Sequence, residues 1–220
     1  MKNIILIVAE TLICYTGIII LNKKYKTDGL YVYGIIATFI SCIMSLKQID
    51  LLNVKIPIGF GVTMSLFIAG NIITQNRGPE AIKTYLSLIF ITALLSCCFL
   101  NLSGVLEPSK YNESANNSYD KIFEYNLRVY VANIISILSA VFLGSKLYYL
   151  MKKINNKIII SNLFSIIIVE LLENILFILI GYLFDFEIMN LLLALIFRYM
   201  IKTIIGIVGT IPIYITNNYK

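Results

Sequence analysis

Apolar residues in this chain fall in long, nearly unbroken runs, not in the stripes of a soluble helix or the alternation of a half-buried strand. Runs of about 20 residues are the length at which an α-helix crosses the hydrocarbon core of a bilayer. They predict helices over residues 3–21, 30–46, 57–76, 80–102, 122–151, 158–186 and 188–214. Strands of an outer-membrane barrel would instead show alternating segments of about ten residues. Polar breaks separate the runs. Asn22 to Gly29 is a basic turn, and Lys47 to Pro57 is short and mixed, with Val54 to Ile56 expected to be extended. At Arg77-Gly78-Pro79-Glu80 the chain breaks, with Pro79 suited to the first turn of the next helix and Glu80 to its positive end. Ser103 to Asp120 is rich in Asn and Ser and reads as a loop. Lysines at 152, 153 and 157 and acids at 185 and 187 mark two tight turns. The first run resembles a signal peptide only in position, because it is too long and no small-residue cleavage site follows.

Composition turns that pattern into a fold class. Of 220 residues 59% are hydrophobic and only 14% charged, more apolar side chain than a soluble domain buries. The expected fold is an all-α integral membrane protein, one transmembrane domain over residues 1–220 in the cell membrane. There is no His, and Cys14, Cys42, Cys97 and Cys98 all lie inside apolar runs without metal-ligand spacing. Neither a metal site nor a cofactor is expected. The sequence carries no P-loop, no H-E-x-x-H and no nucleophile paired with a base, so no enzyme activity is expected and ATP drive would need a separate subunit. The net charge of +6 fits cytoplasmic loops better than nucleic acid. With seven crossings, one side collects nine bases, including Lys23, Lys24, Lys26, Arg77, Lys152 and Lys153; the other collects five bases and seven acids. The positive-inside rule places the N-terminus outside and the C-terminus in the cytoplasm.

Charges inside the runs carry the candidate chemistry. The run 158–186 holds Glu170, Glu173 and Asn174, which share one helix face at spacings i, i+3 and i+4. A charge at the bilayer centre costs about 2.5–3.5 kcal/mol on insertion scales, so these side chains should face protein, water or a ligand. The short turn after this run makes the last two helices antiparallel neighbours. Glu173 lies 12 residues before Asp185 and Arg198 lies 11 after Glu187, which puts both roughly 17 Å from the turn. Glu170 and Lys202 are each 15 residues away, roughly 22 Å deep. Two acids thus meet two bases level by level. Two readings fit: salt bridges that join two helices, or a small-molecule pocket whose charges pair when it is empty. Phe177, Tyr182 and Tyr199 on these helices offer stacking surface or ordinary packing. Asn71, Thr74 and Gln75 share a face of the third helix beside Gly70. Arg128 and Asn133 sit early in the fifth helix, and Glu10 lies mid-run in the first, either in a polar site or paired with another helix.

Several stretches resemble the queuosine-precursor transporter family, the YhhQ-like vitamin-uptake transporters. TDGLYVYGIIATFISC, from Thr27, resembles the start of clostridial members, which carry an extra first helix. FGVTMSLFIAGNIITQNRGPEAIK, from Phe60, is similar to S-F-L-x-T-D-I-x-x-E-x-Y-G-K-K-x-A. IFEYNLRVYVANIISIL, from Ile122, resembles I-F-G-x-x-P-R-I-x-x-A-S. NLFSIIIVELLENILF, from Asn162, resembles N-x-x-S-T-x-x-S-Q-x-x-D-T-x-x-F, and RYMIKTIIGIVGTIP, from Arg198, resembles Y-x-x-K with a late proline. The resemblance covers nearly the whole chain. It implies uptake of 7-deazaguanine bases such as queuine, with Asn71, Gln75, Arg128, Glu170, Glu173, Asn174, Arg198 and Lys202 as the substrate-binding set. The family's Gln and Asp correspond to Glu170 and Glu173, its Asp and Glu in the third helix to Asn71 and Gln75, and its later Gln and Asp to Val141 and Gly144. The chemistry suits such a base: a guanine-like edge offers paired N–H donors to a carboxylate and a carbonyl to Arg or Lys. Partners expected beside this ligand are the lipid bilayer and either a second copy of the chain or a separate energising module.

Overall fold

A computed structural model describes residues 2–51, 54–106, 127–183 and 187–217, and nearly every apolar run in them is helical. The elements are α1 (Lys2–Met44), β1 (Gln48–Leu51), β2 (Val54–Pro57), α2 (Phe60–Arg77), α3 (Ala81–Val105), α4 (Leu127–Asn155), α5 (Ile158–Tyr182), α6 (Ile188–Val208) and α7 (Thr210–Asn217). Five helical stretches, in α1, α3, α4, α5 and the α6–α7 pair, are long and apolar enough to cross a membrane. Their outer faces carry Leu, Ile and Phe side chains, as lipid-facing helices do.

The helices expected over 3–21 and 30–46 are two arms of α1. The chain reverses at Lys26, whose φ of 54° and ψ of −141° break the helical path. Gly17 then packs 3.4 Å from the Tyr33 ring, and a side chain at Gly29 would overlap the Leu21 carbonyl. Only glycine admits that approach beside so tight a reversal.

Between α1 and α2 the chain forms a two-stranded antiparallel hairpin, where only Val54 to Ile56 was expected to be extended. Ile49 pairs with Ile56 and Asp50 with Lys55, so opposite charges face each other across the strands. Val54 and Ile56 are buried, while Asn3 of α1 donates to the Asp50 carbonyl at 3.2 Å.

α2 is the axis of the bundle. Every residue from Phe60 to Thr74 is buried, so its sides meet protein and not lipid. It is therefore the helix that tolerates Thr63, Ser65, Asn71 and Thr74. At the α2–α3 turn Arg77 pairs with Asp28 at 2.9 Å, which brings this turn and the α1 reversal to one end of the molecule. That end carries the described basic turns; the β-hairpin and the α5–α6 connection lie at the other.

Other boundaries shift for local reasons. Helix α3 starts at Ala81, so Pro79 lies in the turn before it and not in its first turn. It runs into the expected loop as far as Val105, and residues 107–120 lie outside those described. Residues 122–126 and 184–186 of two predicted helices also lie outside them. The last run is two helices, broken at Gly209. Pro212 explains the break: it has no N–H, and its ring opposes the carbonyl four residues back. A side chain at Gly209 would lie 2.7 Å from Ile68 and from the Tyr15 hydroxyl, so the break is packed tightly against α2 and α1.

Candidate functional site

Glu170 and Glu173 project from one face of α5 toward Arg198 and Lys202 of α6, and the four form a continuous ion cluster. Arg198 Nη2 lies 3.0 Å from Glu173 Oε1. Lys202 Nζ lies 2.8 Å from Glu170 Oε2 and 2.7 Å from Glu173 Oε2. The level-by-level meeting deduced from the α5–α6 turn is thus present, with one bond more: Lys202 holds both acids. All four residues are at most 2% exposed. A lone buried charge costs several kcal/mol, and direct pairing is what makes such charges tolerable. Two acids and two bases leave the cluster neutral.

Aromatic rings close the outer side. The Arg198 guanidinium lies 4.0 Å from the Phe177 ring centroid and 5.8 Å from that of Phe60, the first residue of α2. Phe177 and Tyr182 meet edge to face at 5.7 Å. Tyr199 points away and donates to the Ile167 carbonyl at 3.2 Å. Asn174 is buried on the acids' face, but its amide donates to its own helix at the Glu170 carbonyl, 2.6 Å.

Glu10 serves a neighbouring element. Helix α2 begins after Gly59, which has φ 93° and supplies no side-chain cap. Glu10 Oε1 accepts the Val62 N–H at 3.0 Å and so caps α2 from another helix. Glu10 also lines a cleft of about 260 Å³ with Asn3, Lys47 and Ile58, at the β-hairpin end. Phe60 therefore stands between this carboxylate and Arg198.

The other expected site residues lie elsewhere. Asn71 donates to Asn162 Oδ1 at 3.1 Å, and Asn162 donates in turn to Thr210 Oγ1 at 2.8 Å and to the Gly206 carbonyl at 3.3 Å. One turn on, Gln75 donates to Asn217 Oδ1 at 2.9 Å and accepts from the Tyr148 hydroxyl. Arg128 donates to the Ile180 carbonyl at 2.6 Å, clasping the start of α4 to the end of α5. Asn71, Gln75 and Arg128 are thus not in contact with the ion cluster. Sequence reading missed Asn162, although it stands two turns before Glu170 on the same buried face. Extending the 3.6-residue period one step back through Ile166 marks it.

Gly144 and Val141 explain the departure from the family pattern. Gly144 abuts Phe67 so closely that any side chain would overlap its ring, and Val141 Cγ1 lies 3.1 Å from where Gly70 would carry a Cβ. Phe67 occupies the space that an acid on α4 would need.

No curated protein and no solved structure matches the chain. The profile of one family, described as putative vitamin uptake transporter, matches residues 57–216, from the end of the β-hairpin almost through α7. That span holds the whole ion cluster and leaves α1 outside. With a match over most of its length, the chain belongs to the putative vitamin uptake transporter family.

Proposed function

We propose that this chain imports a queuosine precursor, a 7-deazaguanine base such as queuine, by exchanging the internal ion pairs of the α5–α6 cluster for bonds to the ligand. The observation that carries the reading is the cluster itself: four ionisable side chains, paired and excluded from solvent, in helices long enough to cross a membrane. Intramembrane charges of this kind mark ligand or ion pathways. A carboxylate from Glu170 or Glu173 accepts two neighbouring N–H groups of a guanine-like edge, Lys202 or Arg198 serves its carbonyl, and Phe177 and Phe60 flank the plane. The ligand approaches through the cleft at Glu10. The fold crosses the cell membrane seven times, with two crossings in α1, the N-terminus outside and the basic end in the cytoplasm.

Uptake in a strain that lacks both queuosine synthesis and its own transporter tests the function. Queuosine restored in transfer RNA by this chain alone is the expected result. Restoration only with added ATPase subunits makes the chain a substrate-binding component, and no response to any 7-deazaguanine overturns the reading. Topology is tested with thiols placed at Lys55 and Lys153, both exposed. An impermeant reagent added to whole cells should reach the first and not the second; the reverse pattern sinks the orientation.

A further inference from the structure

Below the ion cluster, toward the basic end, lies a second set of buried polar groups, all of them uncharged. Asn71, Thr74, Ser145, Asn162 and Thr210 come from α2, α4, α5 and α7, and none is more than 8% exposed. Part of the set is internally bonded, through Asn71 to Asn162 and Asn162 to Thr210. The rest is not. Asn71 Oδ1, Thr74 Oγ1 and Ser145 Oγ have no hydrogen-bond partner among the described residues. Buried polar atoms are normally bonded, and inside a membrane bundle an unmet one is especially unfavourable. These three lie where α2 and α4 approach most closely: Ser145 Oγ is 3.0 Å from where Gly70 would carry a Cβ. Glycine at that point keeps the hydroxyl uncovered.

We infer that this set is a second ligand station on the path between the ion cluster and the basic end, taking an uncharged lactam- or amide-bearing heterocycle by neutral hydrogen bonds. The inference rests on the transport reading of the cluster. Asn162 lies eight residues from Glu170, roughly 12 Å along α5, so the two stations are successive stops. Conduction needs sites that hold a solute and then let it leave. A charged cluster holds firmly, whereas amides and hydroxyls of both donor and acceptor character hold weakly. Beyond the station, Gln75 bound to Tyr148 and Asn217 closes the route to the basic end.

The test combines accessibility with transport in the full chain. Cys14, Cys42, Cys97 and Cys98 are replaced by Ala, and a single thiol is introduced by Ser145→Cys, by Thr74→Cys, or by Ile89→Cys as a dry control in α3. Membrane vesicles of either orientation then receive a water-soluble methanethiosulfonate, without ligand. Thiols at 145 and 74 are expected to react and the control is not; unreactive thiols at both positions overturn the inference. In parallel, Asn162→Ala should lower uptake of radiolabelled 7-deazaguanine about tenfold while equilibrium binding to purified protein changes less than about threefold. A joint fall of binding, uptake and Tm makes the set structural and overturns it too. If the wild-type chain does not bind 7-deazaguanine, the proposed substrate fails by itself, and the labelling alone decides the station.

Discussion

The ion cluster is asymmetric, and the two acids should differ when neutralised. Glu173 is bonded by both Arg198 and Lys202, whereas Glu170 is bonded by Lys202 alone among the described residues. Glu173→Gln leaves Lys202 its bond to Glu170 but deprives Arg198 of its carboxylate. The guanidinium, 2% exposed, retains only its ring contacts with Phe177 and Phe60. Stranding a buried ion in this way costs about 3–5 kcal/mol. At about 2–4 °C per kcal/mol for a chain of this size, Tm should fall by roughly 6–20 °C. Glu170→Gln leaves Lys202 and Arg198 both on Glu173, so only one charge-assisted bond is lost, about 1–3 kcal/mol. The assay is thermal unfolding of both single variants and of Glu173→Gln with Arg198→Gln, all purified in the same detergent. The double variant should recover most of the loss, because the stranded cation is gone. If Glu170→Gln is as unstable as Glu173→Gln, or the double variant is no better than the single, the described pairing does not govern the stability of the cluster.

Three further outcomes follow from local geometry, all read by the same thermal unfolding. Gly144→Ala should destabilise by about 1–3 kcal/mol through overpacking against Phe67, and Phe67→Leu in the same chain should relieve it. Glu10→Ala should cost about 0.5–2 kcal/mol by uncapping α2, while Glu10→Gln, whose amide oxygen still accepts the Val62 N–H, should cost much less. Arg77→Gln, which breaks a half-exposed pair with Asp28, should change stability by less than about 1 kcal/mol.

Several features were readable from the chain because one physical constraint fixes them. Hydrocarbon thickness sets helix length, so the runs could be counted without knowing their packing. The short connection at residues 185–187 sets the depth of everything on α5 and α6, so the meeting of Glu173 with Arg198 and of Glu170 with Lys202 followed from counting. The second bond of Lys202 did not, since it depends on the side-chain path between the two helices. The axial place of α2 was hidden as well: in the sequence it is one run among several, and only the packing of its neighbours shows that lipid never touches it. Arg128 was placed with the binding set by resemblance, but it bonds a backbone carbonyl at the far end of α5. The break at Gly209 had its signal in Pro212, three residues late because a proline disturbs the turn before it. The β-hairpin was half legible: strands of four residues are too short for their alternation to stand out from a loop.

The same asymmetry assigns the acids different parts in transport. In the described conformation each charged group is satisfied by another, so a ligand gains only the difference between its own bonds and those it replaces. Glu170 is the cheaper acid to release. Giving it to a ligand's N–H pair frees one bond of Lys202, which then serves the ligand carbonyl while still held by Glu173 at 2.7 Å. Releasing Glu173 would loosen Arg198 and Lys202 together. Glu170 is thus the acid that meets the ligand, and Glu173 is the post that keeps both bases in place. Glu170→Gln should therefore abolish most uptake at modest cost in Tm, because its amide sets a donor against the ligand's donors. Glu173→Gln with Arg198→Gln should fold well yet transport poorly, having lost the arrangement that presents Lys202. Uptake and Tm measured on the same preparations separate the two roles. Full uptake by the Glu170→Gln protein would remove Glu170 from the binding site and leave the cluster a structural joint between α5 and α6.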